Sequence, residues 1–288
     1  MPVVMREIVV LSGKGGTGKT TLTGAFATLG KDAVLADADV DAANLHLILR
    51  PEVVAEEPFF GLRLPVVDRE RCTSCGVCTQ LCRFEAIQDG ELDETACEGC
   101  AVCFHACSAG AVTLREALTG CVYEARTAFG PFVYAALGVG RENSGKLVAR
   151  VKQRAREIAR EQAKNLLVVD GPPGIGCPVI ASVAGANLLL VVTEPTAAGW
   201  QDLERVLELA RHFGVRAAVC VNKASLDEEI AGKIEHYCRQ EGAAFLGRIP
   251  FAADVVKAVV AQSPVTERLA GPAAQAMRAV WERALDLV

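Results

Sequence analysis

Aromatic side chains are scarce: Phe, Tyr and Trp make up 5% of the 288 residues, whereas 51% of the chain is hydrophobic. The core must therefore be aliphatic, built from Val, Leu, Ile and Ala. No uncharged apolar run reaches the ~18 residues that a membrane-spanning helix requires. The opening MPVVMREIVV lacks the apolar core and cleavage site of a secretory signal, which predicts a cytosolic location. Basic residues are not in excess, with 30 Lys and Arg against 35 Asp and Glu and a net charge of −5. That balance excludes a general nucleic-acid-binding face. The four histidines, His46, His105, His212 and His236, do not cluster and read as structural or surface groups. Cysteine, by contrast, is abundant at 12 residues. In a reducing cytosol such thiols are not disulfide partners, and clustered thiols there point to metal.

The chain is organised around Ser12–Thr21, SGKGGTGKTT. An apolar run, Ile8–Leu11, precedes it, and a helical pattern, Leu22–Leu29, follows. Glycines at 13, 15, 16 and 18 let the backbone curl so that its N–H groups face one anion, and the following helix adds its positive end. The spacing Gly13-x4-Gly18-Lys19-Thr20 is a full Walker A pattern, in which Lys19 reaches the β- and γ-phosphates and the Thr20 hydroxyl holds Mg²⁺. An ordinary glycine-rich turn before a helix would not require strand, loop, Lys-Thr pair and helix in register.

The early lysine in Lys14-Gly15-Gly16-Thr17-Gly18-Lys19-Thr20 resembles the deviant Walker A signature of the family that includes MinD, ParA, the nitrogenase iron protein and the Mrp-type iron–sulfur carriers. The resemblance implies that Lys14 reaches across a dimer interface to the partner's nucleotide, and that Gly13, Gly15, Gly16, Thr17, Gly18, Lys19, Thr20 and Thr21 hold ATP. Ala33–Asp37 reads as a short buried strand leading into Asp37-Ala38-Asp39-Val40-Asp41 and Asn44-Leu45. Alternating acids at a strand's C-terminal end suit Mg²⁺ and water. This segment looks like the family's switch I, which makes Asp39 the group that orients the attacking water, with Asp37 and Asp41 as secondary acids. The apolar run Leu166–Val169 ending in Asp170 is similar to a Walker B strand, so that Asp170 joins Thr20 and Asp39 at the Mg²⁺ site. Gly171–Gly176 then corresponds to switch II.

Between these motifs lie two cysteine runs: Cys72-x2-Cys75-x2-Cys78-x3-Cys82 and Cys97-x2-Cys100-x2-Cys103-x3-Cys107. This is the spacing of a bacterial two-cluster ferredoxin, in which the fourth Cys of each run serves the other cluster. Cys72, Cys75, Cys78 and Cys107 are expected to hold one [4Fe–4S] cluster, and Cys97, Cys100, Cys103 and Cys82 the second. Zinc also takes CxxC pairs, but two triplets, each with a trailing Cys, exceed what a zinc site uses. Arg83 and Ser108 stand where the pattern has proline, which loosens a turn and leaves the ligand set intact. CRFEAI at 82–87 echoes CSAGAV at 107–112. Cys177 lies outside both runs and reads as a buried structural thiol.

The α/β pattern resumes with an apolar segment at 129–137, a polar loop at 138–146 (GVGRENSGK) and a helical pattern at 147–162. Lys146 reads as a solvated lysine at a helix start. Strands are expected at 188–193, 217–221 and 245–249, and helices at 198–213, 226–240 and 273–288. Regular alternation of this kind predicts a mostly parallel sheet flanked by helices. The resemblance further implies that Asn222 reads the adenine edge and that Pro250 closes over the purine. The last helix carries an apolar stripe without net basic charge, which favours core packing over membrane binding.

The expectation is thus an α/β P-loop NTPase domain, 1–57 and 119–288, with an inserted small α+β ferredoxin-like domain at 58–118. Its cofactors are ATP, Mg²⁺ and two [4Fe–4S] clusters. The family resemblance implies a slow ATPase that forms a homodimer, or a heterodimer with a paralogue. It would couple the dimer's rearrangement to electron transfer to a redox or metalloprotein partner, without stable membrane association. A carrier that inserts an iron–sulfur or other metal centre into a target is the alternative; a MinD-like spatial organiser with structural clusters is the third.

Overall fold

The computed structural model describes residues 5–138 and 144–288, so residues 139–143 of the expected polar loop lie outside the described residues. The first half of the chain runs β1 (Arg6–Ser12), α1 (Lys19–Leu29), β2 (Ala33–Asp37), α2 (Leu45–Leu49) and β3 (Glu52–Val67). The cysteine segment follows, with α3 (Val77–Leu81), β4 (Ile87–Gln88), β5 (Glu91–Leu92) and α4 (Val102–Ala106). The chain returns through β6 (Val112–Thr127) and β7 (Gly130–Leu137) to α5 (Ser144–Glu161), β8 (Leu166–Pro173), α6 (Cys177–Val183), β9 (Leu188–Thr193) and α7 (Ala197–His212). The last part comprises β10 (Arg216–Val221), a 3₁₀ turn (Ala224–Leu226), α8 (Glu228–Gln240), β11 (Ala244–Arg248), α9 (Ala253–Val260), α10 (Val265–Arg268) and α11 (Pro272–Leu285).

Nine strands form one sheet in the order β11-β10-β9-β1-β8-β2-β7-β6-β3. From β11 to β7 every neighbouring pair is parallel, and β6 and β3 are antiparallel additions at one edge. Parallel strands are buried on both faces and read as continuous apolar runs; accordingly β1, β8 and β9 are buried almost throughout. One face packs against α5, α6, α7 and α8 through residues such as Val151, Val183, Leu203 and Ile234. The other face packs against α1 and α11 through Phe26, Phe132, Met277 and Trp281. The apolar stripe expected on the last helix is spent on this core: Met277, Val280, Trp281 and Ala284 are buried. Among the described residues no helix is long and apolar enough to cross a membrane.

Two corrections concern elements. The helix expected from Leu226 begins at Glu228, because Asp227 caps it by accepting the Ile230 N–H at 2.9 Å, and Leu226 is left in the exposed 3₁₀ turn. The strands β3 and β6 were not expected. β3 lies at the sheet edge and contains Pro58 and Pro65, residues that an edge tolerates and that mask a strand pattern in sequence.

These two strands decide how the cysteine segment is attached. β6 pairs with β7 only from Gly120 to Thr127, but with β3 from Arg126 down to Val112. Beyond Gly120 the two strands run on past β7 as a two-stranded ribbon, and the cysteine segment connects their far ends at Val67 and Val112. The expected boundaries at 57/58 and 118/119 fall inside β3 and β6, at the level where β7 stops. At this root the buried Thr119 hydroxyl accepts the Gly61 N–H at 2.9 Å and lies 3.3 Å from the Phe59 carbonyl.

Candidate nucleotide cleft and cysteine sites

The Walker A loop joins β1 to α1 at the C-terminal edge of the sheet, where open α/β sheets bind ligands. Its glycines have separable reasons. A side chain at Gly13 would overlap Asp202 of α7 at 2.1 Å, and at Gly18 (φ +91°) it would meet Asn222 Nδ2 at 2.3 Å. At Gly15 neither conformation nor neighbouring atoms forbid a side chain, so what remains is the close approach of a ligand to the backbone. Among the described residues the buried Thr17 hydroxyl has no hydrogen-bond partner. An orphaned hydroxyl beside an open glycine backbone fits a phosphate.

The loop faces a cleft of about 750 Å³, which is of small-ligand size. Gly15 to Thr21 form one wall; Asp39, Asp41 and Asn44 form another, with Pro172 and Pro173 across from them. The buried Lys19 ammonium lies 2.9 Å from Asp170 Oδ1 and 3.5 Å from Asp39 Oδ2. Thr20 donates its hydroxyl to Asp170 Oδ2 at 2.6 Å, and Thr23 donates to Asp170 Oδ1 at 3.1 Å. Thr20, Asp39 and Asp170 thus gather around the Lys19 ammonium, at 3.5, 3.5 and 2.9 Å. Burial disfavours the Lys19 charge, yet Asp170 and Asp39 outweigh it and hold its pKa above the ordinary value. Asp39 is pushed up by burial, with Lys19 opposing.

Asp37 has a different task from the other acids. It is fully buried and sits beside Asp170 in the β2–β8 register. Its oxygens accept backbone N–H groups from Asp39 at 3.1 Å, Asn44 at 3.1 Å and Leu45 at 3.0 Å. It therefore ties the acidic loop and the start of α2 to the sheet. Burial first, then the Asp170 charge, raises its pKa to about 8.

Five expected residues lie outside the cleft's lining: Gly13, which packs on Asp202, Asp170, which lies behind Lys19 and Thr20, and Lys14, Asn222 and Pro250. Lys14 points to Glu194 at 3.4 Å and is 37% exposed. Asn222 donates its amide to the Thr17 carbonyl at 2.7 Å and accepts the Lys223 N–H at 2.9 Å, which buttresses the phosphate loop from behind. Pro250 follows β11 at the same edge of the sheet. Sequence reasoning missed two contributors. Glu194, just after β9, takes both Lys14 and Lys223 as partners; an acid at a strand's C-terminal end was the available signal. Val259 and Val260 of α9, with Leu47 and Ile48 of α2, form an apolar wall of the cleft. The run DVVKAVV is too apolar for a solvated helix, and that was its signal.

The cysteine segment repeats itself with an offset of 25 residues. α3 and α4 begin after left-handed residues, Gly76 (φ 73°) and Ala101 (φ 61°), and end at Cys82 and Cys107 with closely similar backbone angles. The Ala86 N–H donates to Cys82 Sγ and the Ala111 N–H to Cys107 Sγ, both at 3.3 Å. One cavity is lined by Cys72, Cys75, Cys78 and Cys107, and the other by Cys97, Cys100, Cys103 and Cys82. Each run therefore lends its last thiol to the other cavity. Among the described residues no three His, Cys, Asp or Glu groups close on one point as a single ion demands. Four thiols line each cavity, and one in each, Cys82 and Cys107, accepts a backbone N–H; in number and kind they would fit a cube with one thiolate per iron. Cys177 corrects the sequence reading: it is exposed at the first position of α6, not buried.

A family description, the CobQ/CobB/MinD/ParA nucleotide binding domain, matches residues 8–265. An uncharacterised protein of Methanocaldococcus jannaschii is 33% identical over 233 residues, covering 78% of this chain and 80% of its own length. The chloroplastic septum site-determining MinD homologue of Arabidopsis thaliana is 26% identical over 261 residues, 88% of this chain and 66% of that protein. The septum site-determining protein MinD of Pyrococcus horikoshii, solved with Mg-ADP, aligns at a TM-score of 0.61 and 18% identity, over 98% of this chain and 96% of that one. At that identity the likeness speaks for the fold alone.

Proposed function

Because this chain belongs to the CobQ/CobB/MinD/ParA nucleotide-binding family and has its P-loop α/β fold, we propose that it is an Mg²⁺-dependent ATPase whose dimer rearrangement governs electron delivery from two [4Fe–4S] clusters to a partner metalloprotein. In this reading the loop N–H groups, the Thr17 hydroxyl and Lys19 bind the phosphates. Thr20 holds the metal with Asp170 behind it, and Asp39 orients water. Lys19 has to exchange Asp170 and Asp39 for the nucleotide's oxygens, and Lys14 has to leave Glu194 to reach a second subunit. Slow turnover of the lone chain follows, because the charge that completes the site comes from a partner.

The observation that carries the cluster assignment is the crossed pair of cavities, each with three thiols from one run and the last thiol of the other. When bound, the clusters supply one-electron chemistry. The chain's own residues supply the coupling. The Asp39–Asn44 loop is tied by Asp37 to the start of α2, and α2 runs directly into β3, the strand that carries the cysteine segment. His46 of α2 stacks on Tyr134 at 5.4 Å, and Tyr134 stacks on Tyr123 of β6 at 4.8 Å. A change in the loop is thus delivered to both strands of the ribbon.

The test is anaerobic purification with iron and sulfide counts and EPR, with and without Mg-ATP. Iron and sulfide sufficient for both sites, with a spectrum that shifts on Mg-ATP, are expected; zinc or no metal at the eight thiols would overturn the reading. Transfer of the iron to an apo-protein, instead of electrons to a partner, would mark a maturation carrier. The septum-site relatives favour a spatial organiser as a second reading. Against it stand the eight cluster-patterned thiols.

A further inference from the structure

The carboxylate of Glu194 is shared by two lysines from different loops, and they are held unequally. Lys223 Nζ donates to Glu194 Oε1 at 2.5 Å and to the Gly16 carbonyl at 3.1 Å. Lys14 Nζ stands 3.4 Å from the other oxygen, Oε2, and its side chain is 37% exposed. The main chain on both sides of the Lys14 contact is fixed. Ser12 donates its hydroxyl to the Lys14 carbonyl at 2.8 Å, and the Thr196 N–H donates to the Glu194 carbonyl at 2.8 Å. Lys14 can therefore leave by swinging its flexible four-carbon stem alone. Asp202 of α7, against Gly13, is a further carboxylate beside this stretch.

A carboxylate that is mostly out of water and loses every partner is strongly destabilising. Glu194, at 13% exposure, would be such a group if Lys14 were its sole partner. Lys223 prevents this, because it keeps its own oxygen of Glu194 whether Lys14 is present or not. What remains to be broken is one partly exposed ion pair, which is weak. Resting on the dimer reading above, we infer that Glu194 is a positioning residue that holds Lys14 against its own subunit. It thereby sets how readily the nucleotide-bound chain pairs with a second copy, with Lys223 as the standing counter-charge that lets Lys14 go.

The experiment takes the full chain and reads two quantities: the acetylation rate of Lys14 without nucleotide, by mass spectrometry, and the dimer dissociation constant at saturating Mg-AMP-PNP, by sedimentation equilibrium. Glu194→Gln keeps the shape and removes the charge. Lys14 should then be acetylated faster, and the dissociation constant should fall by about 2–30-fold, since one weak ion pair opens in each of two subunits. Lys223→Met leaves Lys14 as the partner of an otherwise unpaired acid, so Lys14 is acetylated more slowly and the dimer weakens. The double variant should behave as Glu194→Gln, because nothing then holds Lys14. Asp202→Asn removes an equal charge close by and should move neither quantity. Three results overturn the inference and leave the dimer reading standing: a Glu194→Gln chain unchanged in either quantity, a double variant as weak as Lys223→Met, or an equal response to Asp202→Asn. An unaltered chain that stays monomeric with Mg-AMP-PNP removes both.

Discussion

The nucleotide cleft and the cysteine segment belong to one chain and are held together by different means. The cleft is cut into a nine-stranded sheet with two extensive aliphatic cores, and its key groups, Lys19, Asp37 and Asp170, are almost wholly buried. The cysteine segment and its ribbon bury a cluster of Leu62, Leu64 and Ala117, with Leu92 and Cys97 packed against it, and also Ala86, Ile87, Ala101, Ala111 and Val112. Its two helices are five residues each, and neither has a buried residue. So short a helix gains little from its own hydrogen bonds, and these few buried side chains set less against the conformational entropy of ordering the loops between Asp68 and Ala111 than the sheet's cores set against theirs. The sheet is held by its own cores, whereas on the cluster reading proposed above the cysteine segment is held by its ligand.

The largest effect that tests this difference is metal removal. Where a site cannot form without its metal, binding energy is folding energy. Chelation under air is expected to abolish amide-exchange protection from Cys72 to Cys107 while β1, β8 and β9 keep theirs. Equal retention in both regions would show that the segment stands on its own packing.

A second test breaks the sheet region from within. Glu7 and Lys152 are each 2% exposed, and Lys152 Nζ lies 2.7 Å from Glu7 Oε1, with the Ala184 carbonyl at 2.9 Å. Arg156 takes the other Glu7 oxygen at 2.7 Å. Lys152→Met leaves part of a buried charge uncompensated, which costs about 3–5 kcal/mol. Denaturant unfolding should show that loss in the sheet transition, and Glu7→Leu added to Lys152→Met should recover most of it. Iron content should not change, because the contacts of Glu7 and Lys152 run to each other, Arg156 and the Ala184 carbonyl, not to the cysteine segment.

Much of the sheet region was legible because its strands are buried on both faces: 8–11, 33–37, 166–170 and 188–193 read as unbroken aliphatic runs. The Walker A loop was legible because Gly13, Gly18, Lys19 and Thr20 are fixed by spacing. The ribbon was not, since Pro58, Pro65 and a face open to solvent conceal the strand pattern of β3. The cysteine spacing announced the pairing of distant thiols without the ribbon that presents them. The acids of the cleft were readable as a group, with Asp37 as a secondary acid for metal or geometry; that it anchors Asn44 and Leu45 is seen only in the structure. Contacts made across the sheet edge, such as Glu194 with Lys14 and Asn222 with Thr17, depend on the strand order, which no local pattern encodes.

In the cleft itself, Lys19→Ala removes the ammonium that meets Asp170 and Asp39. Loss of one group aimed at developing charge lowers turnover by about 10²–10³-fold, so ATP hydrolysis should fall at least that far. The iron and sulfide content should stay at the level of the unaltered chain, since the cysteine segment is held by its own ligands. Unchanged hydrolysis would remove the Walker A assignment.

The smallest effect is the most informative about how the two regions are joined. Thr119 sits where the ribbon leaves the sheet, and its buried hydroxyl accepts the Gly61 N–H. Thr119→Val keeps the shape and strands that donor, at a cost of about 1–3 kcal/mol. If the ribbon is the lever between the cleft and the thiols, the loss is local. Exchange protection should then fall at Gly61 and Leu62, nucleotide affinity should stay within a few-fold, and the spectral response of the clusters to Mg-ATP should weaken. If the two regions merely share a chain, exchange at the root will still change, and the response to Mg-ATP will not. The two outcomes differ in a signal read at the cysteines after a change made at neither site, so the comparison tests the coupling itself.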